Sequence, residues 1–469
     1  MRLLHTTTFE LHSGDQATFK RQGYAILSHR WIGEDEVTFA QIGALASKLR
    51  NGGEDVTKVP QLDKIRGACE VARQQNLQWM WIDNCCINKT SAVEETESIN
   101  SMFKWYRDAK VCITYLFDVK RGPSWRDDDP KNALVTGKDG AKTVPDVFRS
   151  INDSNKPSEW FSRGWTLQEL LAPRYMQFYD TDWAPLGTKA ELADDISAVT
   201  GIAARYLTGH TPMQSACIAV KMSWMANRKT TREEDIAYSM LGIFDKYLVP
   251  QYGEGGARAF VRLQHALLEF SADESLFAWS MPHPNAGAEY RLSTAVHNKA
   301  DQWAEAEWGL LAPTPKWFQD GGSLTIQDHL PTTKPPHINR PNEKWRMTQS
   351  GLQISMRPLL KENLVVPLTL AVTTIVGWVP WMWWEKHHKE KKAMRGFAYP
   401  LNCWRSVGGG GVVGLQIYLR PDKPREQWKT GDSESVLTRR VRCTEVAPVA
   451  KYIREGTGAT AIVLQPGID

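Results

Sequence analysis

Short apolar runs alternate with helical patterns along the first 180 residues, and this alternation constrains the fold more than any other feature of the chain. "YAILS" (24–28), "WMWID" (79–83), "VCITYLF" (111–117) and "MQFYD" (176–180) read as strands, being short, β-branched or aromatic, and ended by polar residues. Between them, Leu62, Ile65, Cys69 and Ala72 mark one helix face, and Ile99, Met102, Phe103 and Tyr106 another. Strands alternating with helices predict an α/β domain built on a parallel sheet, where ligands bind outside the carboxyl ends of the strands. Residues 121–146 are charged and rich in turn formers, and read as a surface insertion.

The pattern changes twice further on. Residues 186–272 look helical, with amphipathic "REEDIAYSMLGIFD" and "GARAFVRLQHALLEF" separated by "VPQYGEGG". From 273 to 469 the chain turns to short strands, Trp and Pro, as in "GLQISM", "LNCW", "VVGLQIYL" and "TAIVLQ", with "GGGG" at 408–411 as a tight connection. The reading is therefore an α/β domain over 1–185, a helical segment over 186–272 and a β-rich C-terminal domain over 273–469. A chain of 469 residues is too long for one core.

Composition excludes several classes. The net charge of +4 is spread along the chain with no basic block, which argues against nucleic acid. Seven Cys without regular spacing and without a Cys-x-x-Cys pair suit neither a disulfide framework nor a zinc ribbon. The start "MRLLHTTTFELHSGD" lacks the apolar core of a signal peptide, so a reducing, cytoplasmic setting is expected. Leu364 to Trp384 is 21 residues without a charge, ahead of the basic run "EKHHKEKK", as in a membrane span. Pro367, Pro380 and strand-like sequence on both sides assign it instead to the β domain, with no membrane partner expected.

Three polar clusters follow strand ends: Ser28-His29-Arg30-Trp31; Asp83, Asn84, Cys85, Cys86, Asn88 and Lys89; and "SRGWTLQELL" (162–171). A parallel sheet brings such ends to one edge. Each cluster has a plain reading beside a chemical one. Thr166 and Glu169 form a Thr-x-x-Glu capping box, or Glu169 is a carboxylate that acts on something bound. Asp83 caps the loop after its strand, or lines a site. Arg30 bridges Asp83 or Glu169, or holds a ligand. Cys85 and Cys86 are small apolar fillers, or one is a nucleophile paired with His29. Arg232, Glu233, Glu234 and Asp235 fit a helix start, where acidic residues suit the dipole.

"YAILSHRW", "WMWIDNCCINKTSAVEETESINSMFKWYRDA" and "SRGWTLQELLAP" resemble, block for block and in order, the fungal heterokaryon-incompatibility (HET) domain. The resemblance covers about residues 1–180 and continues more loosely through "MSWMANRKTTREEDIAYSMLGIFD". It implies a cytoplasmic effector of allorecognition that triggers cell death, with itself and unidentified incompatibility proteins as partners. The HET domain is in turn distantly similar to the toll/interleukin-receptor (TIR) domain, and "GWTLQEL" resembles a plant TIR stretch whose Glu cleaves NAD. Carried over, the resemblance puts the catalytic carboxylate on Glu169, and the TIR first strand's terminal Ser and basic residue on Ser28 and Arg30. Trp31, Asp83 and Trp165 complete the implied NAD-binding set, with Trp31 or Trp165 stacking on a ring and Arg30 on the pyrophosphate. NAD would be a substrate, and no cofactor or metal is required. The alternative is a scaffold without catalysis that signals by self-association of the same domain.

Overall fold

Seven strands form the sheet at the front of the chain, and the four in its middle run parallel. In the computed structural model, β1 (Arg2–His5), β2 (Leu11–Ser13), β3 (Ala25–His29), β4 (Trp79–Trp81), β5 (Val111–Tyr115), β6 (Met176–Tyr179) and β7 (Pro185–Thr188) lie in the order β2-β1-β4-β3-β5-β6-β7. β3 pairs in parallel with β4 and β5, and β5 with β6; β1, β2 and β7 extend the sheet antiparallel at its two edges. The described residues are 1–33, 36–50, 62–121, 144–153, 155–269, 271, 273–290, 305–326, 346–348, 351–355, 397–407, 411–421, 436–441, 443, 447–448 and 460–463.

β3 is central and buried along its whole length, which is why "AILSH" carries an unbroken apolar run where an outer strand would alternate. The helices are α1 (Gln16–Gln22), α2 (Phe39–Arg50), α3 (Asp63–Gln74), α4 (Asp83–Cys86), α5 (Ala92–Asp108) and α6 (Thr166–Leu171). The predicted faces of α3 and α5 are largely the buried ones: Ile65, Cys69 and Ala72 on the first, Ile99, Met102 and Tyr106 on the second, where Phe103 is half-buried. Ser91 starts α5 by accepting from the Glu94 amide. β4 and β5 are each two residues shorter than expected. β4 stops at Trp81, because the Cys86 amide donates to Ile82 O at 2.8 Å and coils 83–86 into a helical turn. Cys85 and Cys86 are both buried in that turn.

The described residues within Met1–Ser215 and Asn227–Ala259 form one compact unit, and those within Ala216–Ala226 and Phe260–Asp469 another. The second unit holds an eight-stranded, mostly antiparallel sheet that includes Phe397–Val407 paired with Gly411–Pro421. Its aromatic core groups Trp279, Trp308 and Trp317, with Trp317 centred 4.9 Å from Trp279 and 5.2 Å from Trp308. Among the described residues, no helix is long and apolar enough to cross a membrane. Leu364–Trp384, most of 121–146 and Gly408–Gly410 lie outside the described residues.

Candidate functional site

The β3–β4 register, Ala25 opposite Met80 and Ile26 opposite Trp81, sets Ser28 and Asp83 at the same edge of the sheet. Glu169 on α6 joins them there. Ser28 Oγ donates to Glu169 Oε2 at 2.5 Å, and Trp160 Nε1 donates to Ser28 Oγ at 2.9 Å. All three side chains are buried, Glu169 being 7% exposed. The expected capping box is not formed. The residue before α6, Trp165, is itself helical and caps nothing, while the Thr166 hydroxyl turns to Trp160 O (2.7 Å) and Arg163 O (2.8 Å). Thr166 cannot serve as a cap because Arg228 occupies that end of the helix: its Nη1 donates to Thr166 Oγ1 at 2.9 Å and to Arg163 O at 2.8 Å. Gly164 is required by the same approach. Its amide donates to Lys229 O at 2.8 Å, and a Cβ there would meet Thr230 Cγ2 at 2.4 Å.

Burial raises the Glu169 carboxyl to about 8; the Ser28 hydrogen bond, the nearby Tyr106 hydroxyl and the Arg228 charge oppose that rise, and nearby Asp83 adds to it. Tyr106 gives its own proton to Leu27 O at 2.9 Å, and burial, then the Glu169 charge, push its phenol well above the ordinary range. Glu169 is thus a buried acid, neutral at pH 7, that a neighbouring positive charge would ionise.

Asp83 behaves oppositely. Burial raises it, but His29, Lys89 and Trp31 outweigh burial and hold it near 2, as a permanent anion. His29 Nε2 lies 3.0 Å from Asp83 Oδ1, Trp31 Nε1 donates to Oδ2 at 2.9 Å, and Lys89 Nζ stands 3.9 Å from Oδ2. Lys89 also sits 3.4 Å over the Trp31 ring, a cation–π contact that covers one face of it. Asp83 therefore does more than cap a loop: it ties β3's extension to α4.

The remaining expected residues disperse. Arg30 pairs with Glu159 at 2.5 Å and lies over the Phe117 ring, in place of the expected bridge to Asp83 or Glu169. Trp165 donates to Asp235 Oδ2 at 3.0 Å, and Tyr252 donates to the other oxygen at 2.9 Å. Glu234 accepts from the amides of Gly253 and Gly255, and Glu233 from that of Gly256, just before a helical turn that begins at Asp235. A Cys–His nucleophile is not assembled. His29 Nε2 is committed to Asp83, Cys85 Sγ faces Ile82 O, and Cys86 and burial push the Cys85 thiol well above its ordinary range.

Four participants escaped sequence reasoning: Trp160, Tyr106 as a polar group, Glu36 and Arg228. Glu36 accepts from the Ile32 amide and Asn84, and pairs with Lys64 beside His29. None of the four has a neighbour in sequence that signals its partner. Trp160, two residues before "SRGW", was the nearest to being found. Among the described residues no cluster of His, Cys, Asp and Glu is arranged to hold a metal ion.

Comparison with known proteins follows the same blocks. Residues 24–169 match the family described as heterokaryon incompatibility protein (HET), and residues 258–373 match a domain of unknown function (DUF8212). The chain is 38% identical over 245 residues to the vegetative incompatibility protein HET-E-1 of Podospora anserina, which covers 52% of this chain and 16% of that relative. No solved structure matches.

Proposed function

The chain is a heterokaryon-incompatibility (HET) domain protein, and from that premise we propose that it is an effector of vegetative incompatibility, whose Ser28–Glu169 centre cleaves NAD to trigger cell death. The similarity to the vegetative incompatibility protein supports the first half. It spans about a sixth of that relative's length, so the activity is argued from the site. The single observation that carries it is a buried carboxyl, Glu169, held by a serine from the central strand at the carboxyl edge of a parallel sheet.

The chemistry fits a carboxyl of this kind. In NAD the bond between nicotinamide nitrogen and ribose C1′ breaks with its electron pair leaving on the nicotinamide, and positive charge develops on the sugar. The nicotinamide ring is cationic before cleavage, so its entry beside Glu169 favours the ionised carboxylate. That anion stabilises the sugar cation, and water attacks C1′ and loses a proton. Ser28 and Trp160 keep the carboxyl from turning away. Trp31, at the exposed rim, offers one ring face for stacking, while Arg30 and Trp165 take part only if they leave Glu159 and Asp235.

A second reading, a non-catalytic scaffold that self-associates, is favoured by one observation. Glu169 already takes a short hydrogen bond from Ser28 inside the protein, as a purely structural acid would. The two part on NAD content and survival of cells expressing the wild type beside Glu169→Gln. The enzyme reading expects NAD loss and death with the wild type and neither with the variant; a folded, fully toxic Glu169→Gln selects the scaffold.

A further inference from the structure

Helix α6 is held at both ends by buried cations, and only one of them suits a helix. At the C-terminal end Lys189 Nζ donates to Leu170 O (3.0 Å) and Pro173 O (2.6 Å), where carbonyls lack partners and the helix dipole favours positive charge. At the N-terminal end the dipole disfavours a cation, yet Arg228 is buried there. A buried guanidinium is costly to desolvate, so its place needs a compensating anion. Glu169, three residues after Thr166 and hence on the same face of α6, meets that need only when ionised, the form that a cationic ring beside it favours.

The contacts of Arg228 reach the Ser28–Glu169 pair by two routes. Arg228 donates to Thr166 Oγ1, and Thr166 faces Trp160 O; the indole of the same Trp160 donates to Ser28, which donates to Glu169. The second route is through space, since Arg228 and Glu169 each bear on the other's charge. Arg228 lies beyond residues 24–169, yet within the same compact unit.

We infer that Arg228 is a positioning residue of the Ser28–Glu169 centre: its hydrogen bonds to Thr166 and the Arg163 carbonyl fix the start of α6 and, through Thr166, Trp160, and they set its positive charge on the face of α6 that carries Glu169. This rests on the reading of Glu169 as the reacting carboxylate. The other groups that bear on Glu169 are Asp83, Tyr106, Cys112 and Arg163, of which only Arg163 is cationic. Arg163 is half-buried and hydrogen-bonds Thr231, so it does not replace Arg228.

The test uses the full chain with Arg228→Met and Arg228→Lys, each read two ways: by carbon-13 titration of the Glu169 carboxyl, assigned by its loss in Glu169→Gln, and by the pH profile of NAD consumption. In Arg228→Met the Glu169 midpoint should rise by about one pH unit, an about tenfold loss of the anion at a given pH below it, and the NAD profile should move with it. Arg228→Lys keeps the charge without the fork, so the midpoint should stay while NAD consumption falls about tenfold. A folded Arg228→Met with an unmoved midpoint overturns the inference. If Arg228→Met does not fold, wild-type consumption in Arg228→Lys overturns it, and slowed consumption at an unmoved midpoint supports it. The carboxyl titration needs no substrate. A wild type that consumes no NAD sinks the catalytic reading and leaves the Met midpoint to decide the role of Arg228, with an Arg228→Met chain that fails to fold then counting against it.

Discussion

Ser28 Oγ and Glu169 Oε2 lie 2.5 Å apart, joined across 141 residues of sequence by a hydrogen bond buried at the carboxyl end of the central strand. A hydroxyl donating to a carboxyl in a low-dielectric site is costly to lose, because each group is left without the water it gave up. That bond makes one strand end and one short helix a single unit, and the consequences are measurable.

Glu169→Gln should change the pH dependence of stability in a definite direction. The carboxyl sits near 8 in the fold against an ordinary 4.5 in the unfolded chain. A group raised on folding stabilises fully below its unfolded value and loses that contribution as pH rises through the folded one. The wild type should lose stability between about pH 4.5 and 8, on the order of a few kcal/mol, and the variant should lack that slope. Melting temperatures of the two proteins across that window check it; parallel curves would refute the buried-acid assignment.

Ser28→Ala removes the donor to Glu169 and the acceptor for Trp160 Nε1 in one step. Both groups stay buried, so the expected loss is about 2–6 kcal/mol in urea unfolding, from two groups at roughly 1–3 each. Ser28→Thr keeps the hydroxyl and should recover part of it. A loss below about 0.5 kcal/mol for Ala would mean that water replaces the hydroxyl, and that the site is open.

Asp83→Asn tests the opposite kind of carboxyl. Asp83 is held near 2 against an ordinary 3.8, so its contribution is present above 3.8 and lost as pH falls through 2. The wild type should exceed the variant by about 2 kcal/mol at neutral pH, and the gap should close between about pH 4 and 2. A gap that persists at the acid end would place its origin in shape and not in charge.

Gly242→Ala should destabilise the domain through packing. A Cβ there would lie 2.1 Å from Phe103 Cβ, which is fixed to the α5 backbone and cannot swing aside. The expected cost is about 1–3 kcal/mol or more. Gly164→Ala meets Thr230 Cγ2 at 2.4 Å, a methyl that can rotate, and should cost less. Denaturant midpoints at equal slope compare the two, and the reverse order would show that the backbone at Gly242 yields.

The backbone architecture was legible because it rests on local periodicity. Apolar runs of four or five residues can only be buried as strands between covered faces, and one apolar stripe per helix leaves one way to face the sheet. From that, "YAILS" and "WMWID" become adjacent parallel strands, and their polar ends meet. The partner of each polar side chain was not legible. Thr166 and Glu169 offer each other a capping box within one turn, and Glu169 instead takes Ser28 because α6 is pressed against the sheet, where a buried carboxyl must find its donor inside the core. Arg30 goes to Glu159, Trp165 to Asp235, and Arg228 claims the helix start from beyond residues 24–169. A residue's period is written in its neighbours along the chain; its hydrogen-bond partner is decided by burial, which depends on every element that covers it.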